Sequence, residues 1–349
     1  MERSSSCFFL FLVMGLMKVR CSADHHHHLE NGSSTNSWTS NPRKLLVFGD
    51  SYADTGNLPK IVAPSWRKPY GVTFPRKPSG RFSDGRVFTD FLAKFLKINS
   101  PIPYKYRRYG YKVLQYGMNF AIGGSGVFDT VFLSANLTTQ INNFKKQVEQ
   151  GAIDLRSSTA LVAVSGNDYV HYQDNGGTME GLKTFTPKVI DQLKKNLECL
   201  RDLGVETVAV TNLHPVGCLP SFTRSSSYKK CNTSANDAVV YHNNLLEAAI
   251  DELNRDNKNG SAIAIVDLFN GFMSVLNKGG NKFGDILRPC CEAMTSNFHC
   301  GFADSDGMEK YTLCRRPDST FYWDSSHPTQ AGWKAVFSSL KPTLNNLLN

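Results

Sequence analysis

Apolar, β-branched runs recur along the chain at 44–50, 159–165, 204–213 and 261–269, with a weaker one at 113–121. Their hydrophobicity is continuous rather than alternating, which predicts strands buried on both faces, as in a parallel sheet. Between them apolar positions recur at helical spacing. Val87, Phe91, Phe95 and Ile98 form one stripe, and Ile190, Leu193, Leu197, Leu200 and Leu203 a second that Gly204 is placed to end. Val239, Leu246, Ile250 and Leu253 form a third. Strands alternating with helices predict a doubly wound α/β fold, a three-layer α/β/α sandwich. No repeat, linker or shift of composition follows residue 43, so 44–349 reads as one domain. Ligands of such sheets bind beyond the carboxyl ends of the strands. Polar or glycine-rich junctions stand at those ends: Gly49-Asp50-Ser51, then 119–124, 165–168 and 212–214. They converge on one rim.

The bulk numbers narrow the class. A chain of 349 residues, 41% hydrophobic and 20% charged, can bury a large core and is not globally disordered. The formal charge of +9 is diffuse. Its densest runs, 104–108 and Lys229-Lys230, are short and carry no RNA-binding motif, so a nucleic-acid partner is not expected. Weak attraction to an acidic matrix is the milder reading. At the N-terminus, 7–17 is an apolar stretch too short to span a bilayer and suited to a signal peptide. Small residues at 21–23 suit cleavage, although Glu2 and Arg3 make a poor leading region. The expectation is a signal peptide over 1–23 and a disordered arm with four histidines over 24–43, without a stable membrane anchor.

Cysteine usage fits secretion. Outside 1–23 there remain Cys199, Cys218, Cys231, Cys290, Cys291, Cys300 and Cys314. The last four crowd a segment poor in hydrophobic periodicity, where disulfides would hold the loop in an oxidising compartment. Two disulfides are expected there, bracing the segment that leads to 324–327. Three pairings are possible, and adjacent Cys290 and Cys291 are poor partners for each other. Cys218 and Cys231 could close another loop, while Cys199 on its helical stripe reads as a buried free thiol. Zinc competes weakly, since no C-x-x-C pair is present. Sequons at Asn31, Asn136, Asn232 and Asn259 fit a glycoprotein.

The candidate chemistry begins with Ser51. A serine hydroxyl needs a base within hydrogen-bond reach, itself oriented by a third group. Of nine histidines, His327 alone has such a setting, three residues after Asp324 in the run 322–328. One turn can bring that carboxylate to one ring nitrogen and leave the other facing a serine. Acyl transfer also needs donors for an oxyanion, which the Ser51 and Gly124 N–H groups and the Asn167 side chain could supply. His171 and His214 read as surface and structural residues, Ser83 and Asp84 as a turn, and Asp54, Thr55 and Asn57 as caps of a helix after Ser51. No G-x-S-x-G window occurs, which argues against the α/β-hydrolase fold.

Ser51, Gly124, Asn167 and His327, in that order, resemble the four blocks of the GDSL (SGNH) hydrolase superfamily. GDSYADTGN, GRFSDGRVFTDFLA, NFAIGGSG, SGNDY, HPVGCLP and WDSSHPT together resemble the plant secreted GDSL esterase/lipases, over 44 to about 340. The resemblance implies a flavodoxin-like α/β/α sandwich on a mainly parallel five-stranded sheet, and serine ester hydrolysis without a cofactor. It implies Ser51 as nucleophile, His327 as base, Asp324 as its orienter, and Gly124 and Asn167 as oxyanion donors beside Ser51. One departure is Tyr52, where the family name expects leucine; it bears on substrate shape more than on chemistry. The expected protein is a secreted monomer of the plant apoplast or cell wall, acting on small-molecule, lipid or polysaccharide esters. An acyltransferase with the same acyl-enzyme and a non-catalytic, defence-associated relative are the alternatives.

Overall fold

The computed structural model describes residues 43–348, except 110–113, 132–133, 154, 156, 256–261, 279–281 and 296–297. The expected signal peptide, the histidine-bearing arm and the sequons at Asn31 and Asn259 lie outside the described residues.

Six strands form the central sheet: β1 (Lys44–Gly49), β2 (Ile102–Pro103), β3 (Gly117–Asn119), β4 (Ser158–Ala163), β5 (Thr207–Thr211) and β6 (Ala262–Val266). All pair in parallel, in the order β2-β3-β1-β4-β5-β6. The sixth strand corrects the expected five. β2 is two residues long and contains a proline, which cannot donate to a ladder and is tolerated at an edge, so it leaves no periodic signal. β3 is likewise shorter than the apolar run that predicts it.

The continuous hydrophobicity of β1 is explained by its two buried faces. Leu45 and Val47 point into a core completed by α1 (Phe88–Phe95), α7 (Leu268–Lys278) and α8 (Gln330–Leu348). Leu46 and Phe48 point into a second core with α2 (Leu137–Glu149), α4 (Leu182–Asp202) and α6 (Thr233–Arg255). These are the outer layers of a three-layer sandwich. Short helices α3 (Asn167–Asp174) and α5 (Pro220–Thr223) stand at the rim. Two short strands, β7 (Cys291–Ala293) and β8 (Tyr311–Leu313), form a separate antiparallel hairpin near α8 in sequence.

The order of strands locates the site before any side chain is considered. From β1 the chain winds first toward β3 and β2, then back past β1 to β4, β5 and β6. Such a reversal leaves a crevice beyond the carboxyl end of β1. Ser51 stands there, with the β3 exit bearing Gly124 on one side and the β4 exit bearing Asn167 on the other.

Candidate active site

β1 ends on a residue that has to be glycine. Gly49 has φ +127°, and a Cβ there would run into the Ala163 backbone of β4. Gln140 of α2 grips it from both sides, accepting from its N–H (2.8 Å) and donating to its carbonyl (2.9 Å). Asp50 is buried and ties the loop bearing Ser51 to the β4 exit. Its Oδ2 accepts from the Ser165 N–H and hydroxyl, both at 2.6 Å, and from Asn167 Nδ2 at 3.0 Å, while Oδ1 accepts from the Tyr52 N–H. Burial raises the Asp50 pKa to about 6, against the pull of the Ser165 and Tyr52 donors and of His327.

The helix expected directly after Ser51 is absent: 51–62 runs through turns and bends. The Asp54 carboxylate instead gathers the N–H groups of Gly56, Asn57, Leu58 and Gly123. Asn57 Nδ2 reaches the carbonyls of Asn119 and Ala121, both at 2.8 Å. The polar residues read as helix caps therefore stitch the loop to the β3 exit. Local donors and acceptors compete with helix formation in this way.

His327 comes to Ser51 from 276 residues away. Its Nε2 lies 2.8 Å from Ser51 Oγ, and its Nδ1 lies 2.8 and 2.9 Å from the two oxygens of Asp324. A carboxylate can only accept, so Nδ1 carries the proton and Nε2 is left to accept from the serine hydroxyl. Asp324 Oδ1 also accepts from the backbone N–H groups of Ser326 and His327, which closes the turn over 324–327. Its Oδ2 accepts from the buried Tyr70 hydroxyl at 2.8 Å. Burial works to raise the Asp324 pKa, but His327, the Ser326 N–H and Tyr70 together hold it below the usual carboxylate value. Phe82 packs beside the imidazole, with centroids 5.0 Å apart.

Tyr52 lies beneath this loop, 3% exposed. Its hydroxyl is 2.8 Å from the Ser326 carbonyl and 2.9 Å from His214 Nε2. The carbonyl takes the one hydroxyl proton, so His214 must donate from Nε2 and is the neutral tautomer with a bare Nδ1. Burial pushes the His214 pKa down to about 3, in keeping with that state. Ser83 and Asp84, read as a turn, are buried and hold the far side of the loop through the Pro328 carbonyl and the Gln330 N–H.

The donors expected for an oxyanion face the same space. Gly124 has φ +83°, and no acceptor for its N–H or that of Ser51 is found among the described residues. Asn167 differs: its amide donates to Asp50 Oδ2 and to the Ser125 carbonyl (2.9 Å), which occupies both hydrogens.

Ser51, Gly124, Asn167 and His327 open into a cleft of about 480 Å³. Its wall is built largely from Tyr169, Met179, Leu182, Leu219, Phe222 and Val239, and among the described residues no Asp, Glu, Lys or Arg lines it. Asn232, one of the sequons, stands exposed at its edge and caps α6 by accepting from the Ala235 N–H. Asn136 caps α2 through Thr139 N–H and lies elsewhere. His171 is exposed and does not line the cleft.

The cysteines pair as Cys218–Cys231, Cys290–Cys314 and Cys291–Cys300. The reading of Cys199 as a free thiol is corrected: its sulfur is disulfide-bonded. Sequence reasoning also missed Asp50, Tyr70 and Gln140. Asp50 stood in the quoted triplet and could have been questioned there. Tyr70 and Gln140 have no signal, because their partners lie 254 and 91 residues away.

Comparison with known proteins agrees with this geometry. The family model for the GDSL-like lipase/acylhydrolases matches residues 45–340. A GDSL esterase/lipase of Arabidopsis thaliana is 45% identical over 352 residues, covering 97% of this chain and 96% of its own. Another from the same plant is 45% identical over 86% of this chain and 87% of its own. An acetylajmalan esterase of Rauvolfia serpentina is 28% identical, over 86% of this chain and 90% of its own. With nearly the whole described chain matched, and Ser51 and His327 in contact at the rim of the sheet, this protein belongs to the GDSL esterase/lipase family of plants.

Proposed function

We propose that this esterase works through an acyl-enzyme on Ser51. The observation that carries the reading is the unbroken hydrogen-bond chain Ser51 Oγ–His327 Nε2, His327 Nδ1–Asp324. In the first step Ser51 Oγ attacks the ester carbonyl carbon and its proton passes to His327 Nε2. Asp324 stabilises the imidazolium and fixes its ring orientation. The carbonyl oxygen becomes an oxyanion within reach of the Ser51 and Gly124 N–H groups. Asn167 joins them by turning one amide hydrogen away from the Ser125 carbonyl. On collapse, His327 returns the proton to the departing alcohol and Ser51 keeps the acyl group. Water then attacks the acyl carbon as its proton passes to His327 Nε2, and on collapse the bond to Ser51 Oγ breaks, His327 returns the proton to Ser51 and the acid leaves.

The uncharged, largely apolar cleft favours an ester whose group beside Ser51 is apolar and larger than acetyl. Residues 44–349 act as one hydrolase domain. The paired cysteines support secretion into the extracellular space, where a glycosylated monomer is our reading, and among the described residues no helix is long and apolar enough to cross a membrane. The test is hydrolysis of p-nitrophenyl esters from acetate to palmitate. Ser51→Ala and His327→Ala should each lower kcat about a thousandfold or more, the double variant being little worse, because they act as one unit. Asn167→Ala should lower kcat about a hundredfold. Near wild-type turnover by Ser51→Ala would overturn the assignment.

A further inference from the structure

A second concavity lies on the β2 edge of the sheet, away from the ester cleft. It has a volume of about 680 Å³ and runs between the segment leaving β2 and the outer face of α2. Arg107 and Arg108 form one lip, Lys146 the other, and Asn143 and Gln147 line it from α2 with Gln150 just past the end of that helix. Residues 143, 146, 147 and 150 fall at helical spacing on one face, so α2 and its C-cap present a cation beside the amides of Asn143 and Gln150, with the buried Gln147 donating to Gln150 Oε1 at 3.3 Å. Among the described residues no carboxylate lies within ion-pair distance of Arg107, Arg108 or Lys146, although ten other pairs satisfy cations of the protein, Lys145–Glu149 on α2 among them. Three cations facing one groove without a counter-charge leave a positive potential that an anionic ligand would neutralise.

The structure assigns this groove to an acidic polysaccharide, a chain of uronate type. Guanidinium and ammonium groups suit carboxylates spaced along a polymer, and side-chain amides suit the hydroxyls between them. Two other polyanions fit less well. A membrane surface calls for an exposed apolar face among the cations, whereas the groove is concave and amide-lined. A single-stranded nucleic acid needs free aromatic faces on which to stack bases. The Tyr104 ring lining the groove is already covered, by Arg107 at 4.2 Å and by Phe120 at 5.1 Å between centroids. The groove also has a fixed relation to the ester site. Lys105, next to Tyr104, donates its N–H to Asn57 of the nucleophile loop at 3.2 Å. A polymer held there would lie along the edge of the same sheet without entering the cleft of Ser51.

Affinity electrophoresis of the whole protein through gels containing polygalacturonate, at several salt concentrations, tests this. Retardation is expected in polygalacturonate, weakening as salt rises, and none in neutral dextran. Arg108→Glu with Lys146→Glu, both at exposed positions, should reduce apparent affinity at least tenfold. Asn143→Leu with Gln150→Leu should weaken it several-fold at unchanged charge, which a diffuse electrostatic attraction would not do. Hydrolysis of p-nitrophenyl butyrate should remain at the wild-type rate in both double variants, which shows that they fold and keeps the result separate from the ester reading. Absence of retardation, retardation that survives charge reversal, or equal binding to single-stranded DNA or to phosphatidylglycerol vesicles would each overturn the assignment.

Discussion

The hydroxyl of Tyr52 stands where the family motif has an aliphatic side chain, and its two hydrogen bonds fasten the carbonyl of Ser326 and the ring of His214. A departure that bears on cleft shape when read in the sequence thus also bears on where the proposed base sits, because Ser326 immediately precedes His327. Tyr70 does the corresponding work from the other side, through the second oxygen of Asp324. Tyr52→Phe keeps the ring and its edge-on contact with Trp333 but strands a buried carbonyl and a buried imidazole N–H. Removing one partner of a buried hydrogen bond costs about 1–3 kcal/mol. We expect Tyr52→Phe and Tyr70→Phe to lower kcat about tenfold, a shift of about 1.4 kcal/mol, with KM nearly unchanged. Steady-state kinetics on one soluble ester decides it. A rise confined to KM would mean that these hydroxyls shape the cleft rather than place the base.

Among the elements, the hairpin of β7 and β8 has the most direct hold on the catalytic turn. The Cys290 and Cys291 N–H groups donate to the carbonyls of Tyr322 (2.9 Å) and Trp323 (2.7 Å), and the Trp323 N–H donates to the His327 carbonyl (2.6 Å). The two residues before Asp324 are thereby paired on one side with the disulfide segment and on the other with the loop that follows. Around them Tyr70, Tyr311 and Trp323 pack on the bonded sulfurs in a small core of their own. Closing a loop of the Cys290–Cys314 size is worth about 3 kcal/mol in the chain-entropy account, a large share of what so small a core can supply. The sheet does not depend on it, since its two cores are larger and contain none of these four cysteines. Graded reduction should therefore abolish ester hydrolysis while far-UV dichroism is still native. Activity that persists until the dichroism collapses would show that the turn stands without the clamp.

For the molecule as a whole, buried histidines set an acid limit. His214 and His242 are both driven by burial to a pKa of about 3, below the ordinary 6.5. The unfolded chain takes up those protons below about pH 6.5 and the folded chain does not. Their contribution is therefore present above that pH and is lost as pH falls toward 3, by up to about 1.4 kcal/mol per pH unit for each histidine. Asp50 works the other way. Its pKa, raised to about 6, makes ionisation costly in the folded state, so its contribution is present below 3.8 and is lost as pH rises through 6. A wild-type curve mixes the two, and a difference separates them. His242→Gln should lose less stability than wild type between pH 7 and pH 4 in urea unfolding. Parallel losses in the two proteins would show that His242 does not titrate on unfolding.

The sequence by itself determined the layers and the chemistry. Runs such as 44–50 are apolar at every position because both faces of a parallel strand are buried, and that signal is local. Four of the six ordered motifs likewise carry the proposed site residues Ser51, Gly124, Asn167, Asp324 and His327, since the residue types of each suit a task that its own few neighbours support. Only the tertiary structure decided what depends on distant partners. It decided the order of the strands and the two-residue edge strand at Ile102–Pro103, which has no periodicity to read. It replaced a helix after Ser51 by a loop, because Asp54 finds the Gly123 N–H and Asn57 finds carbonyls beyond β3. It chose one of three cysteine pairings. It brought Asp50 to Asn167, Tyr70 to Asp324 and Gln140 to Gly49, contacts across 117, 254 and 91 residues that no local pattern announces. Periodicity records whether a position faces a core, and a hydrogen bond between remote side chains is fixed only when the packed sheet has brought both ends together.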